Sequence, residues 1–425
     1  MRKALDEPDP SLVPNPVDIV VAEHVSCENG YANAGVHNTF MCKDFDLYSI
    51  TPHRKLGSNV GIGNDIWGWS RDGRDFALVG QMDGTAFAEL NDNGTVVYLG
   101  RLPTQSEDSL WRDIKVIGDF AYIGSEAPDH GIQVFDLKKL LDKSLQEEPK
   151  NFSITSDLTS HFDGLPAGSS HNIVAHEEKN LIVAVGSLPR TDHCGAGLIF
   201  VDVTDPANPV SKGCAGEDGY VHDAQCLTYH GPDKRYEGKD ICYGYNENTL
   251  TIYDITEPEH STIISVTYYF GVTYSHQGWV IDEKDQRYLL LDDELDEMWE
   301  RGWAVNQHTT TYIWDIQDLE HPILTGKYQS PVKAIDHNLY VKDGWAYESN
   351  YRSGLRVVDV SSVYDNPTGT DFTEVGFFDV YPEDDDIGGE AKFGGSWSVY
   401  PYFESGFVIV NSMDRGLFVV KYKKA

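Results

Sequence analysis

One unit recurs along this chain: a short β-run ending in aspartate, a turn, then a second β-run. It appears as GIQVFDLKKLLD at 131–142, GLIFVDVTDPANPVSKG at 197–213 and TLTIYDITEPEHSTIISV at 249–266. It returns as TTYIWDIQDLEHPILTGKY at 310–328 and GLRVVDVSSVYDNP at 354–367, with TAFAELNDNGTVVYLGRL at 85–102 as a variant whose Asn-Gly suits a tight hairpin. Alternating β-branched and aromatic residues predict half-buried strands, and Asp, Pro and Asn supply the turn chemistry. Upstream of each unit lies another pair of short apolar runs, as in HNLYVKDGWAYESN at 337–350 and RDIKVIGDFAYIGSE at 112–126. Four antiparallel strands per roughly fifty residues is the signature of a β-propeller blade.

Aligning the starts of the first strands gives Asn64-Asp65, Arg112-Asp113, His171-Asn172, His222-Asp223, His276-Gln277, His337-Asn338 and Trp397-Ser398, with successive gaps of 48, 59, 51, 54, 61 and 60 residues. The last unit supplies three strands before the sequence ends. FDLYSITPHRKLG at 45–57 has the form of the missing outer strand. The expectation is therefore an all-β, seven-bladed β-propeller closed by an N-terminal strand that completes the last blade, leaving no exposed sheet edge at the seam. A β-sandwich array is the alternative, but it gives no reason for a half-unit at each end. Residues 1–41 read as an extension tethered by a disulfide, and 42–425 as one propeller domain.

In a propeller the innermost strands start at one face of a central channel, so the aligned positions should form a ring. Four consecutive starts are histidines: His171, His222, His276 and His337. Each is followed by a polar residue, among them Asp223, Gln277 and Asn338. Loops after the second strands should bring Glu126, Asp292, Asp293, Glu294 and Arg352 to the same face, with Trp67, Trp111, Trp279, Tyr351 and Trp397 on or beside the ring. A polar floor with aromatic walls is the usual form of a small-molecule pocket. Three uses of the imidazoles compete. They could ligate a divalent metal such as iron, zinc or copper. They could act as acid, base or hydrogen-bond donor on an organic substrate, since imidazole titrates near neutrality. Or each ring N–H could simply tie one blade to its neighbour's backbone. LDDELDE at 291–297 lacks the glycine and spacing of an EF-hand loop, so its acids read as solvated or supporting. PEDDDIGGE at 382–390 reads as a surface turn.

Charge narrows the partners. With 33 basic and 68 acidic residues the net charge is −35, which disfavours nucleic acids and anionic lipid surfaces. A small molecule is the expected ligand, and oligomeric state stays open. No apolar run reaches the length of a spanning helix, and MRKALDEPDPSLVPNP at 1–16 has no apolar core of a signal peptide. The six cysteines fall into sequence-adjacent pairs, Cys27 with Cys42, Cys194 with Cys214 and Cys226 with Cys242. Fifteen connectivities are formally open, and proximity favours this one. Sequons at Asn93 and Asn151 fit the same oxidising compartment, so the chain reads as a secreted or secretory-pathway protein whose leader is replaced by the start Met. There is no CxxC, GxSxG, GxxxxGK[ST] or HExxH, which leaves the zinc-ribbon, serine-hydrolase, P-loop and zincin readings without support.

The motifs NDIWGW (64–69), LWRDIKV (110–116), YVHDAQC (220–226), YSHQGW (274–279), LLLDDELDE (289–297) and AIDHNLYVK (334–342) resemble the choice-of-anchor B family of secreted or surface-anchored propellers with LVIVD-type repeats. The resemblance spans roughly residues 25 to 422. It departs at the C-terminus, where the sequence ends in VVKYKKA with no anchor, implying a free soluble protein. The chain also looks like the fungal hetero-Diels–Alderases of tropolone-sesquiterpenoid biosynthesis. That resemblance implies dehydration of a hydroxymethyl tropolone to an o-quinone methide, then addition to a humulene-type terpene. On this reading His171, His222, His276 and His337 handle protons, Arg112 and Arg352 hold the oxygenated ring, and Trp67, Trp111, Trp279 and Trp397 pack the terpene. It implies no cofactor. A four-histidine metal-dependent hydrolase or oxygenase and a non-catalytic extracellular interaction propeller are the alternatives.

Overall fold

The computed structural model describes residues 14–35 and 38–423. Their regular structure is strand and short 3-10 turns, with no α-helix among the described residues. The inner strands are Gly63–Arg71, Arg112–Ile117, Asn172–His176, Asp223–Thr228, Ser275–Val280 and Asn338–Lys342, and each begins a sheet of consecutive antiparallel strands. A further sheet is composite: Ser396–Tyr400, Phe407–Ser412 and Gly416–Tyr422 take Phe45–Thr51 as their outer strand. Each inner strand packs against the next, and Ser396–Tyr400 closes the circle against Gly63–Arg71.

This corrects the expectation of a seven-bladed propeller built from one repeated four-stranded unit. Six blades, not seven, arise from runs of consecutive strands, and the circle is completed by the composite sheet. Two of the six also exceed four strands. Lys150–Asn151 adds a parallel strand beside Val96–Pro103. The N-terminal strands Cys27–Glu28, Tyr31–Asn33 and Thr39–Lys43 extend the Asn338–Lys342 blade outward, giving it seven strands. That edge is available because the blade's fourth strand, Thr373–Phe378, would otherwise expose unpaired backbone groups. The boundary drawn between residues 41 and 42 therefore cuts a strand, and residues 1–13 of the supposed extension lie outside the described residues.

Inner strands of neighbouring blades share no hydrogen-bonded ladder, so their inward N–H groups need other acceptors. Several of the polar residues after the aligned starts bond the next blade's inner strand. Asp65 Oδ2 accepts from Ile114 N at 3.0 Å and Asp113 Oδ2 from Ile173 N at 2.7 Å. Gln277 both donates to Leu339 O at 3.1 Å and accepts from Leu339 N at 3.0 Å. Asn338 donates to Trp397 O at 3.0 Å. Between blades the gaps fill with apolar side chains, as where Phe87, Phe135 and Phe152 meet ring to ring.

All three disulfides join the sequence-adjacent cysteines, Cys27–Cys42, Cys194–Cys214 and Cys226–Cys242. Such bonds persist in oxidising compartments, which is consistent with a secreted or lumenal protein. No helix among the described residues is long and apolar enough to cross a membrane.

Candidate functional site at the channel mouth

Each of the four histidines sits at the head of an inner strand, so all four lie at one height on adjacent blades. Their rings form a continuous arc, with centroids 4.3 Å apart for His171 and His222, 4.2 Å for His222 and His276, and 4.4 Å for His276 and His337. His171 needs a glycine beneath it. A Cβ on Gly186, which has φ +68°, would lie 2.5 Å from the His171 Cβ.

The two ring nitrogens divide their tasks. His222 Nδ1 faces the His276 carbonyl at 3.0 Å and His337 Nδ1 faces the Trp397 carbonyl at 2.6 Å. A carbonyl only accepts, so these Nδ1 atoms carry the protons and tie each blade to the next. His276 Nδ1 lies 3.0 Å from Asp292 Oδ1. The Nε2 atoms of His276 and His337 approach one carboxyl group, at 4.0 Å from Glu294 Oε2 and 3.7 Å from Glu294 Oε1. The Tyr351 hydroxyl donates to Glu294 Oε1 at 2.7 Å.

Burial and the neighbouring rings push His222 and His276 well below the usual imidazole range, and burial takes His337 down to about 3. These rings are neutral at pH 7. Burial lifts Glu294 to about 7, against the opposing pull of the Tyr351 hydroxyl and His171. A carboxyl group beside neutral imidazoles can thus hold a proton near neutrality, while rings held so far below their usual range are weak bases.

His171 differs. Burial disfavours its charged form, but Glu126, 2.6 Å from Nδ1, more than offsets this and the pKa is raised. Glu294 and Asp223 act in the same sense. A His pKa above its unfolded value contributes stability that is fully present below about pH 6.5. That contribution is lost as pH rises through the folded value. The melting temperature of Glu126→Gln should therefore show a flatter decline than wild type as pH rises above this point. Parallel melting curves for the two proteins would show that His171 does not titrate against Glu126.

One end of the arc meets an apolar wall. His337 contacts Tyr351 and Trp397 at centroid distances of 4.5 and 5.0 Å. Phe393 stands edge-on to Tyr351 at 5.1 Å, and Leu110, Trp111, Met82 and Met298 pack in the same cluster. The other end is polar: Arg190 lies over the Tyr220 ring at 3.6 Å and pairs with Glu247. Tyr274 stands edge-on to His222 at 5.1 Å.

Several sequence-predicted residues lie elsewhere. Trp67 and Trp279 occupy positions three residues beyond the ring, roughly 10 Å deeper at strand rise. There they pack edge-on against Tyr340 at 5.5 and 5.0 Å, with Tyr400 and Tyr402 beside Trp67, and plug the channel. Just above them Lys115 bridges Asp113 at 2.7 Å and Asp65 at 3.4 Å and lies over Trp67 at 4.8 Å. Asp223 belongs to this middle layer, where burial and the charge of Asp113 lift it to about 7. Gln277 and Asn338 are engaged in tying blades together. Arg112 turns sideways to Gln81 O, Thr104 Oγ1 and His130 Nε2. Arg352 points to the rim, bonding Phe393 O and pairing with Glu390 and Asp384, so 382–390 is an anchored turn. The histidines, Tyr351, Trp111 and Trp397 are the candidate residues that meet at the mouth.

Glu294, Tyr220, Tyr274 and Arg190 also belong there. Tyr220 and Tyr274 carry a visible signal, since each precedes its ring histidine by two residues, in YVH and YSH. Glu294 was expected on this face, but only as a solvated or supporting acid of the 291–297 run.

A family model described as the LVIVD repeat matches residues 111–128, the first strand pair of the second blade. No curated protein sequence matches the chain. Among solved structures, the β-propeller domain of Myceliophteria thermophila Cps50 (Swd1) superposes with a TM-score of 0.51 at 11% identity, covering 86% of this chain and 98% of that one. The computationally designed Ika8 protein gives a TM-score of 0.49 at 10% identity over 97% of this chain and 98% of that one, too low to carry weight. At such identities likeness concerns fold alone. Strand order and the matched segment agree: the chain is a β-propeller that carries an LVIVD repeat.

Proposed function

We propose that this protein is a small-molecule enzyme of the secretory pathway, a hetero-Diels–Alder cyclase acting on a tropolone-type o-quinone methide and a humulene-type terpene. The observation that carries the reading is the two-sided mouth, where an arc of imidazoles around Glu294 abuts the wall of Trp111, Tyr351, Phe393 and Trp397. Glu294 gives its proton to the leaving hydroxyl as the carbon–oxygen bond breaks. The ring-hydroxyl proton passes to His171, the one ring of the arc whose basicity is raised, by Glu126, so water departs and the o-quinone methide forms without a redox step. The alkene, held on the apolar wall, then forms one carbon–carbon and one carbon–oxygen bond. Orientation lowers the barrier here by up to roughly 7–11 kcal/mol, and exclusion of water protects the intermediate. Asn93 and Asn151, both exposed, are the proposed glycosylation sites.

The test is incubation of the protein with a hydroxymethyl tropolone diol and a humulene-type alkene. A single stereoisomer whose mass is the sum of the two minus one water is expected. The same isomer mixture forming at the same rate without protein would overturn the reading.

A second reading has its own observation. His276, Glu294 and His337 offer ligand atoms within 4.8 Å of one another, with Nδ1 of each histidine engaged elsewhere, as metal-ligating imidazoles usually are. A divalent metal there would make the mouth a hydrolase or oxygenase site. About one zinc, iron or copper per chain, lost on His276→Ala/His337→Ala, would favour it.

A further inference from the structure

A second group of acids lies behind the mouth. Asp296, Glu297 and Asp336 bring carboxylate oxygens within 4.8 Å of one another, and none is more than 2% exposed. One oxygen of each of the first two is engaged: Tyr312 donates to Asp296 Oδ2 at 2.6 Å and Thr310 N to Glu297 Oε1 at 2.7 Å. Among the described residues, Asp296 Oδ1 and Glu297 Oε2 have no partner, and neither does either oxygen of Asp336. Among the described residues no lysine or arginine makes an ion pair with any of the three. Lys327, in the same region, gives its ammonium group to Gln329.

Burial of three carboxyl groups with four orphaned oxygens is costly unless they keep their protons or a cation gathers them. Asp336 is the telling member. It is almost wholly buried, contributes an oxygen to the cluster and finds no hydrogen-bond donor among the described residues. Other fully buried acids of this protein do find donors, as Asp293 does from Thr273 N, Tyr274 N and the Tyr269 hydroxyl.

We infer that Asp296, Glu297 and Asp336 form a calcium site. All-oxygen, carboxylate-rich ligation suits a hard cation, and calcium tolerates irregular geometry better than magnesium, which demands a near-ideal octahedron. The site's place in the chain gives it a purpose. Asp296 lies two residues after Glu294, and Asp336 immediately precedes His337. One ion would fasten the acidic turn to the start of the next blade's inner strand and so fix the distance between Glu294 and His337. The inference stands on this cluster and holds whatever reaction the mouth performs.

The test uses the full chain, purified with calcium and then treated with EGTA. Elemental analysis should give about one calcium per chain before treatment. EGTA should lower the melting temperature by on the order of 5 °C, reversed by added calcium. Asp336→Asn, which keeps the shape, should bind at least about tenfold more weakly and lose the EGTA response. Terbium provides a readout on the wild-type protein should that variant fail to fold. Tyr312, hydrogen-bonded to Asp296, with Trp303 stacked on it at 5.6 Å, should sensitise terbium luminescence that calcium quenches. No calcium by analysis, no terbium signal and an unchanged melting temperature would overturn the site. Calcium lost on His276→Ala/His337→Ala but kept on Asp336→Asn would overturn it too, by placing the ion at the mouth.

Discussion

Replacing Lys115 by methionine should destabilise the protein by about 3–5 kcal/mol, the usual cost of removing one partner from a buried ionic group. The ammonium group lies in the channel with Asp113 at 2.7 Å and Asp65 at 3.4 Å, all almost fully buried. Burial alone would raise Asp113, but Lys115 outweighs it and keeps this carboxylate ionised. Asp65, pressed by burial and by the charge of Asp113, is pushed well above the usual carboxylate range. Both carboxyl groups also accept backbone N–H bonds from the next blade, so the channel cannot relax without loosening the ring. Adding Asp113→Asn to the variant should recover part of the loss. The check is the chemical denaturation midpoint at unchanged slope. A loss below about 1 kcal/mol would mean that water reaches these groups and that the ion pair is not a buried one.

Under the proposed cyclisation, Glu294→Gln should lower kcat by about 10²–10⁴-fold, the typical contribution of a positioned general acid, while leaving the melting temperature close to wild type. Glutamine keeps the shape and can still accept from the Tyr351 hydroxyl, but it has no proton to give. KM for the tropolone partner should change only a few-fold. Full turnover in this variant would remove Glu294 from the chemistry and leave orientation as the only effect of the mouth. Measuring metal content alongside separates the alternatives, since loss of a resident ion together with activity is the mark of a ligand rather than of an acid.

The repeat was legible because blade strands are short and regular. The Asp that ends most third strands opens a turn, and several polar residues after the aligned starts bond the neighbouring strand. The histidine arc followed from that alignment, since equivalent positions on successive blades stand at one height. Depth was read less well. Trp67 and Trp279 stand three residues past the aligned starts, which places them at the plug, yet aromatic character alone suggested a wall. Arg112 shows a different limit. It holds an aligned position, but its side chain finds carbonyls and His130 beside its own blade, and nothing local in sequence encodes that turn. Glu294 lay in an acidic run whose members separate only after a bulge sends Asp292 and Asp293 to backbone and ring nitrogens and Glu294 to the axis. The extra strands on two blades come from segments with no repeat character, so periodicity could not announce them.

The composite sheet has a consequence for biosynthesis. Phe45–Thr51 waits for Gly416–Tyr422, its partner strand, which is made only after every other blade strand between them. Until then the nascent ring is an open crescent with a bare edge at its leading end, vulnerable to pairing with another copy. Long-range strand pairing of this kind is slow. Its completion is therefore the step at which chaperones would be most needed, and at which a stalled chain would aggregate.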